Sequence, residues 1–282
     1  MAEYRFRIVN VFTRERGALT GNPLCVFEDG STFDTATMQA LALQFNLSET
    51  TFILPSTTAA ARVRIFTPRF EMAFAGHPTL GTAHVCRALG LGGGSLQLEM
   101  KAGLITVESD GERWTLTAPS SEAREVALPR ADLAAALGLE ERDIGVRPLW
   151  VRAGTEQLIV PLVSPEAVLR AAPRAEGFAA LQSADNPPMA YVFAPTGADR
   201  VVARFFFSQG PAILEDPATG SATANFGGWW LATQRPLPAA LQIAQGEMTG
   251  RPSTLHLQID AGRRIRVGGD VVELGGGAVR LG

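Results

Sequence analysis

Two helices that are apolar on almost every side constrain this chain more than any other feature. The first is signalled by Glu71-Met72-Ala73-Phe74-Ala75-Gly76-His77-Pro78-Thr79-Leu80-Gly81-Thr82-Ala83-His84. A tight loop, Phe74-Ala75-Gly76, runs into a helix expected to start at His77-Pro78, with proline at its first position. There the missing N–H costs nothing and the fixed φ fits. The apolar positions Leu80, Ala83, Val85, Cys86, Ala88 and Leu89 leave no polar face, and Gly90 ends the run. A helix of that kind must be surrounded by other structure rather than laid on a surface. Half a chain later, Glu215-Asp216-Pro217-Ala218-Thr219-Gly220-Ser221-Ala222-Thr223-Ala224 reads as an acidic loop and a second apolar helix through Phe226, Trp229, Trp230 and Leu231. Gly76-His77-Pro78-Thr79 and Gly220-Ser221-Ala222-Thr223 share a Gly-[His/Ser]-x-Thr pattern, which points to two related halves, each built round one buried helix.

The segments between these helices read mainly as short strands. Residues 4–12, 23–28, 51–54 and 62–67 alternate or carry β-formers, and Asp110-Gly111 between two such runs is a hairpin signal. Asp34 caps a helix with Met38, Leu41 and Phe45 at helical spacing, ending near Asn46. In the second half, short helices are expected near 131–137, 165–171 and 175–183. Strands are expected near 147–152, 156–162, 189–194, 200–207, 241–244, 254–259, 264–267, 271–274 and 279–281. Pro119 to Pro129 is polar and proline-bounded and reads as a domain boundary, giving domains 1–118 and 119–282, with the last strand able to return to the first. The pattern is α+β rather than alternating βαβ: two similar domains, each a mostly antiparallel, barrel-like sheet around a central buried helix.

At 282 residues, with 46% hydrophobic and 19% charged residues, the chain is globular in composition. A net charge of −3 gives no electrostatic case for nucleic acid. No apolar run approaches the ~20 residues of a membrane span, and the first residues lack the apolar core of a signal peptide, so a cytoplasmic protein is expected. Cys25 and Cys86 match no metal or redox spacing and read as packing residues. Gly90-Leu91-Gly92-Gly93-Gly94 is followed by a strand, not a helix, which argues against a nucleotide loop.

Three groups are candidates for proton chemistry. Glu49 sits at a helix-to-strand junction, and His77 and Asp216 sit at the starts of the two apolar helices. Singly, each has a plain reading: an exposed carboxylate, a packed histidine, a capping aspartate. Together they do more. A helix start offers unpaired N–H groups and partial positive charge, so two of them facing a cleft would hold a substrate carboxylate. Two carboxylates and an imidazole beside it could shuttle a proton. One His and two carboxylates also match a metal-binding facial triad in composition, though the spacing is dispersed and no second His is well placed. His84, one further along the first helix face, and His256, on the wetter side of a strand, read as packing or surface residues, as do Trp229 and Trp230.

Several segments carry a family resemblance, in order along nearly the whole chain. They are Gly21-Asn22-Pro23, Asn46-Leu47-Ser48-Glu49-Thr50-Thr51-Phe52, Arg64-Ile65-Phe66-Thr67-Pro68, Phe74 to Ala83, Glu215 to Ala222 and Gln245 to Ser253. With these, the chain resembles the phenazine biosynthesis PhzF-like family. The resemblance implies a diaminopimelate epimerase-like fold with the active site in a cleft between two domains, a homodimer, and an isomerase that works without metal or organic cofactor. The activity implied is a proton shift within a small carboxylate-bearing metabolite, like that of trans-2,3-dihydro-3-hydroxyanthranilate isomerase. It makes Glu49 the acid/base, with His77 and Asp216 orienting substrate or holding the proton. It makes Ser48, Gly76, Gly220 and Ser221 substrate-binding. The related racemases use two cysteines at the helix starts, where this chain has Ala75 and Thr219, so two-thiol racemisation is disfavoured. The rival readings are a metal-dependent lyase or hydrolase on the same residues, and a binding protein that keeps the cleft but turns nothing over.

Overall fold

A computed structural model describes residues 2–184 and 186–281; Met1, Asp185 and Gly282 lie outside the described residues. The chain forms two compact units, residues 1–117 with 268–282, and residues 118–267.

The first unit contains β1 (Ala2–Val11), β2 (Asn22–Phe27), α1 (Thr35–Phe45), β3 (Glu49–Leu54), β4 (Ala61–Phe66), the two-residue β5 (Glu71–Met72), α2 (Gly76–Ala88), β6 (Ser95–Met100), β7 (Gly103–Asp110) and β8 (Arg113–Thr117). Eight strands close into a ring in the order β1-β2-β3-β4-β6-β7-β8, completed by the final strand of the chain, which pairs with both β8 and β1. Two pairs are parallel, β2 with β3 and β4 with β6. Parallel neighbours need a crossover, and α1 supplies the first while α2 supplies the second. Helix α2 lies against β1, β2, β3, β4, β7 and β8, and its residues His77 to Cys86 are all buried. Its threonine hydroxyls are satisfied locally. Thr79 Oγ1 donates to the Ala75 carbonyl at 2.6 Å, Thr82 Oγ1 donates to the Pro78 carbonyl at 2.7 Å, and Thr51 and Thr82 hydroxyls meet at 2.8 Å. Helix α1 is capped by Asp34, whose carboxylate accepts from Thr37 N–H at 2.7 Å, and stops at Asn46 in the left-handed region. An aromatic cluster of Phe27, Phe33, Phe45, Phe52 and Phe66 packs beneath it.

The second unit contains β9 (Glu122–Glu125), α3 (Arg130–Ala136), β10 (Leu149–Ala153), β11 (Thr155–Pro161), α4 (Pro165–Arg170), α5 (Ala175–Phe178), β12 (Met189–Pro195), β13 (Arg200–Gln209), β14 (Ala212–Asp216), α6 (Gly220–Ala232), β15 (Ala239–Gln245), β16 (Ser253–Ile259) and the start of β17 (Ile265–Leu281). The pairing repeats that of the first unit strand for strand. β10 and β11 are antiparallel like β1 and β2, β11 and β12 parallel like β2 and β3, and β12 and β13 antiparallel like β3 and β4. β14 folds back on β13 as β5 does on β4, and β13 and β15 are parallel across α6 as β4 and β6 are across α2. β9 closes on β10 as the end of β17 closes on β1. The fold is therefore α+β, with two similar barrel-like sheets each around a central helix.

Four local expectations are corrected. The stretch between Pro119 and Pro129 holds β9, and Pro78 is the third residue of its helix, not the first, since α2 begins at Gly76. Pro78 remains within the first turn, where no intrahelical N–H bond is lost. The acidic segment before α6 is not all loop, because Glu215 and Asp216 end strand β14. The last segments form one strand, β17, which continues through Gly275–Gly277 because β1 pairs with it between Val271 and Leu281, with a register shift at Ile8/Val9. No described helix is long and apolar enough to cross a membrane.

Candidate active site

In the first unit, Glu49 opens β3 and His77 sits in the first turn of α2. The parallel register of β2 and β3 sets Glu49 opposite Leu24 at the end of the strand beside the helix start. Glu49 Oε2 and His77 Nδ1 are 2.9 Å apart. The imidazole is buried, 6% exposed, while the carboxylate keeps 17% of its surface. In the neutral tautomer that donates from His77 Nδ1 to Glu49, Nε2 is a lone-pair acceptor; in the imidazolium both nitrogens are donors. That Nε2 is buried and has no hydrogen-bond partner among the described residues. The other Glu49 oxygen is left to meet solvent or substrate. The α2 N-cap, Ala75, has no side-chain capping bond, and the first turn carries no acidic residue. Its N–H groups therefore keep their partial positive charge for an external anion. Gly76 is half-buried at this point, and Ser48, next to Glu49, is exposed.

In the second unit, Thr219 occupies the position that Ala75 holds in the first: each is the N-cap residue of its central helix. Thr219 Oγ1 donates to Asp216 Oδ2 at 2.5 Å and accepts from Gln245 Nε2 at 3.0 Å. Gln245 Nε2 also donates to the Asp216 carbonyl at 2.8 Å. The fully buried Gln245 thus fixes the Asp216–Thr219 turn from beneath. The next residue, Gly246, has φ +86°, and a Cβ there would lie 2.5 Å from the Pro217 carbonyl oxygen, so only glycine lets this segment close on the turn. Gly220 is buried at the helix start, while Ser221 is half-buried and its Oγ accepts from Gln157 Nε2 at 3.1 Å.

An arginine–glutamate clasp precedes each central helix. In the first unit, Arg64 on β4 holds Glu71 on β5 through Nε (2.7 Å) and a terminal nitrogen (2.9 Å), with its guanidinium over Phe66. This contact holds the Glu71 carboxyl below the usual range, chiefly through the hydrogen bonds from Arg64. In the second unit, Arg204 on β13 holds Glu215 on β14 at 2.9 and 2.7 Å, with its guanidinium over Phe206. Its third nitrogen donates to the carbonyls of Val168, Leu169 and Ala171, where α4 ends. Glu215, although beside Asp216 in sequence, is a structural group.

The remaining candidates are packing residues. Cys25 and Cys86 are both free and fully buried, and burial pushes the Cys86 thiol up to about 12, so neither supplies a thiolate near neutral pH. His84 is buried with Nδ1 3.3 Å from Glu112 Oε2, and burial holds its imidazole below the usual value. Trp229 is buried and donates to the Arg147 carbonyl. Among the described residues, no three His, Cys, Asp or Glu side chains are grouped closely enough to hold a metal ion.

Comparison with known proteins decides the family. A family profile described as "Phenazine biosynthesis-like protein" (PhzC-PhzF) matches residues 9–281. The chain belongs to this family.

Its curated relatives carry isomerase names. It is 35% identical, over 98% of this chain and 94% of the relative, to the uncharacterized isomerase PM1503 of Pasteurella multocida. It is 33% identical, over 93% of each chain, to the trans-2,3-dihydro-3-hydroxyanthranilate isomerase of Pseudomonas aeruginosa. Among solved structures it superposes on the PhzF family protein of Bacillus anthracis with TM-score 0.87 and 25% identity over the whole of both chains. A hydroxyproline epimerase from Agrobacterium vitis, at 14% identity and TM-score 0.67 over 99% of this chain and 93% of that one, shares the fold. PhzF-like membership and these relatives support an isomerase activity.

Of the residues singled out in the sequence, the structure brings Glu49 and His77 into contact, and ties Asp216 to the start of α6. Spacing did not reveal Arg204, Gln157 and Asn225. Their partners lie 11 to 72 residues away, and no local pattern marks such contacts.

Proposed function

We propose that this protein is a cofactor-independent isomerase that moves a proton within a small carboxylate-bearing metabolite, of the kind handled by its trans-2,3-dihydro-3-hydroxyanthranilate isomerase relatives. Glu49 takes the proton from one carbon and returns it to another. His77 holds one carboxylate oxygen, which orients the other toward the substrate. Asp216 is assigned to substrate orientation, and Ser48, Gly76, Gly220 and Ser221 to binding of the carboxylate and polar groups. The observation that carries this reading is the 2.9 Å contact between Glu49 and a buried histidine beside an uncapped helix start. A carboxylate with one oxygen fixed and the other accessible suits general acid–base catalysis, which is typically worth ~10²–10⁴ in rate.

The test is Glu49→Gln, which keeps the shape and removes the proton-transferring group. Turnover of trans-2,3-dihydro-3-hydroxyanthranilate and deuterium uptake from solvent should both fall by about 10²-fold or more. A variant with wild-type turnover ends the proposal for Glu49. Assay after exhaustive chelation and mass measurement by light scattering check the two accompanying expectations, metal independence and a homodimer. Loss of turnover on chelation, or a monomer mass, would overturn the respective one.

A further inference from the structure

A hydrogen-bond relay of fixed direction ends on Ser221. It begins at two backbone groups whose polarity chemistry cannot change. The Ala153 N–H can only donate, and it donates to Asn225 Oδ1 at 2.6 Å. The Thr155 carbonyl can only accept, and it accepts from Asn225 Nδ2 at 2.9 Å. Together they fix which end of the Asn225 amide is nitrogen. The second hydrogen on Nδ2 goes to Gln157 Oε1 at 2.8 Å, which orients that amide in turn. Gln157 Nε2 then donates to Ser221 Oγ at 3.1 Å. An amide nitrogen does not accept, so the Ser221 hydroxyl is the acceptor in this bond and its own hydrogen is left over.

The relay is sealed from water. Asn225 is 0% and Gln157 2% exposed, so no solvent molecule can reverse it. Ser221 is half-buried in the first turn of the 13-residue helix α6, next to Gly220 and with no acidic residue in that turn. We infer that Gln157 and Asn225 are positioning residues that leave the Ser221 hydroxyl hydrogen to be donated outward, so that this part of the site takes an acceptor oxygen of the substrate, such as a carboxylate oxygen. The inference rests on the proposed role of Ser221 in substrate binding and adds the polarity of the group it meets. Gln157 acts only through Ser221.

The test is binding of trans-2,3-dihydro-3-hydroxyanthranilate, read by rapid mixing before turnover, to four forms of the full chain: wild type, Ser221→Ala, Gln157→Glu and the double variant. A glutamate at 157 accepts instead of donating, which turns the Ser221 hydrogen inward. Both single variants should weaken binding by roughly tenfold or more, the size of a hydrogen bond to a charged group. The double variant, made with the neutral Gln157→Met so that no new charge faces the ligand, should bind no more weakly than Ser221→Ala alone, because the Gln157 side chain bonds only Asn225 and Ser221 among the described residues. A purely structural role for Gln157 would instead add its effect to that of Ser221→Ala. Wild-type affinity in either single variant, or additive losses in the double, overturns the inference. If Gln157→Glu fails to fold, Ser221→Ala at wild-type affinity still overturns it. Failure of the proposed mechanism reads out separately, as normal turnover by Glu49→Gln with binding intact. No binding to the wild type refutes this inference together with the proposed substrate class.

Discussion

Replacing Arg204 by methionine should destabilise the second unit severely, and the structure says why. The guanidinium and Glu215 keep only 10% and 14% of their side-chain surface. Arg204 spends Nε and one terminal nitrogen on the carboxylate, and the other terminal nitrogen on three carbonyls at 2.7–3.2 Å. Methionine fills much of the same path, so the change is not mainly a cavity. What it leaves behind is a carboxylate with its charge uncompensated and a helix end stripped of a charged donor. Removing one partner of a buried pair costs about 3–5 kcal/mol. For a unit spanning residues 118–267 this corresponds to a fall in Tm of about 6–20 °C. Urea unfolding followed through Trp150, Trp229 and Trp230 measures it. The paired replacement Arg204→Met with Glu215→Leu removes the orphaned charge as well and should recover most of the loss, since swapping a whole buried pair for apolar groups is often neutral. An exposed ion pair in the same unit, Arg264 with Asp260, is the control, and Arg264→Met should leave Tm nearly unchanged. The reasoning is refuted if Arg204→Met lies within about 1 kcal/mol of wild type, the range of an exposed pair, or if the double replacement is no better than the single.

Two further expectations concern the first unit. A Cβ on Gly81 would lie 2.6 Å from Leu24 Cδ2 and 2.9 Å from Val11 Cγ2, where α2 presses on β1 and β2. Gly81→Ala should therefore cost about 1–3 kcal/mol by overpacking, although alanine is the better helix former by ~1 kcal/mol; a stabilised variant in denaturant titration would contradict this. Burial, opposed by Glu112 and aided by Arg87, holds the His84 imidazole below its usual value in the folded chain. The unfolded chain then binds the extra proton first as pH falls below ~6.5, so stability drops on acidification through that window. His84→Gln should flatten the slope between about pH 7 and pH 5, and an unchanged slope in stability measured across that range would show that His84 does not contribute to it.

Much of the architecture was legible because local chemistry and tertiary structure agree. Asp110-Gly111 turns a hairpin with Gly111 at φ +61°, Asp34 caps α1, and the mainly apolar stretch from His77 to Cys86 is buried as its lack of a polar face requires. Two of the failures share a cause: the partner lies far away in sequence. Glu122–Glu125 is exposed along its length and has no alternation, yet it forms β9 because β10 offers an edge, with the Arg124 guanidinium laid over Trp150 at 4.9 Å. Three consecutive glycines look like an end to a strand, yet β17 runs through them because Phe6 and Arg7 pair across from Gly277 and Gly276. At the candidate site, Glu49 and His77 stood out because of where they fall relative to element ends. Gln157 looks like any polar residue inside a strand until Asn225 and Ser221 arrive from another element.

The two arginine–glutamate clasps have a consequence for how such a chain changes over time. Each stands five residues ahead of its central helix, from Glu71 to Gly76 and from Glu215 to Gly220. The residue after that glycine is histidine in one copy and serine in the other. The brace and the exchangeable side chain are thus separate parts. A chain built from two such similar halves can change the residue after the glycine in one half while the other half, and both braces, go on specifying the shape.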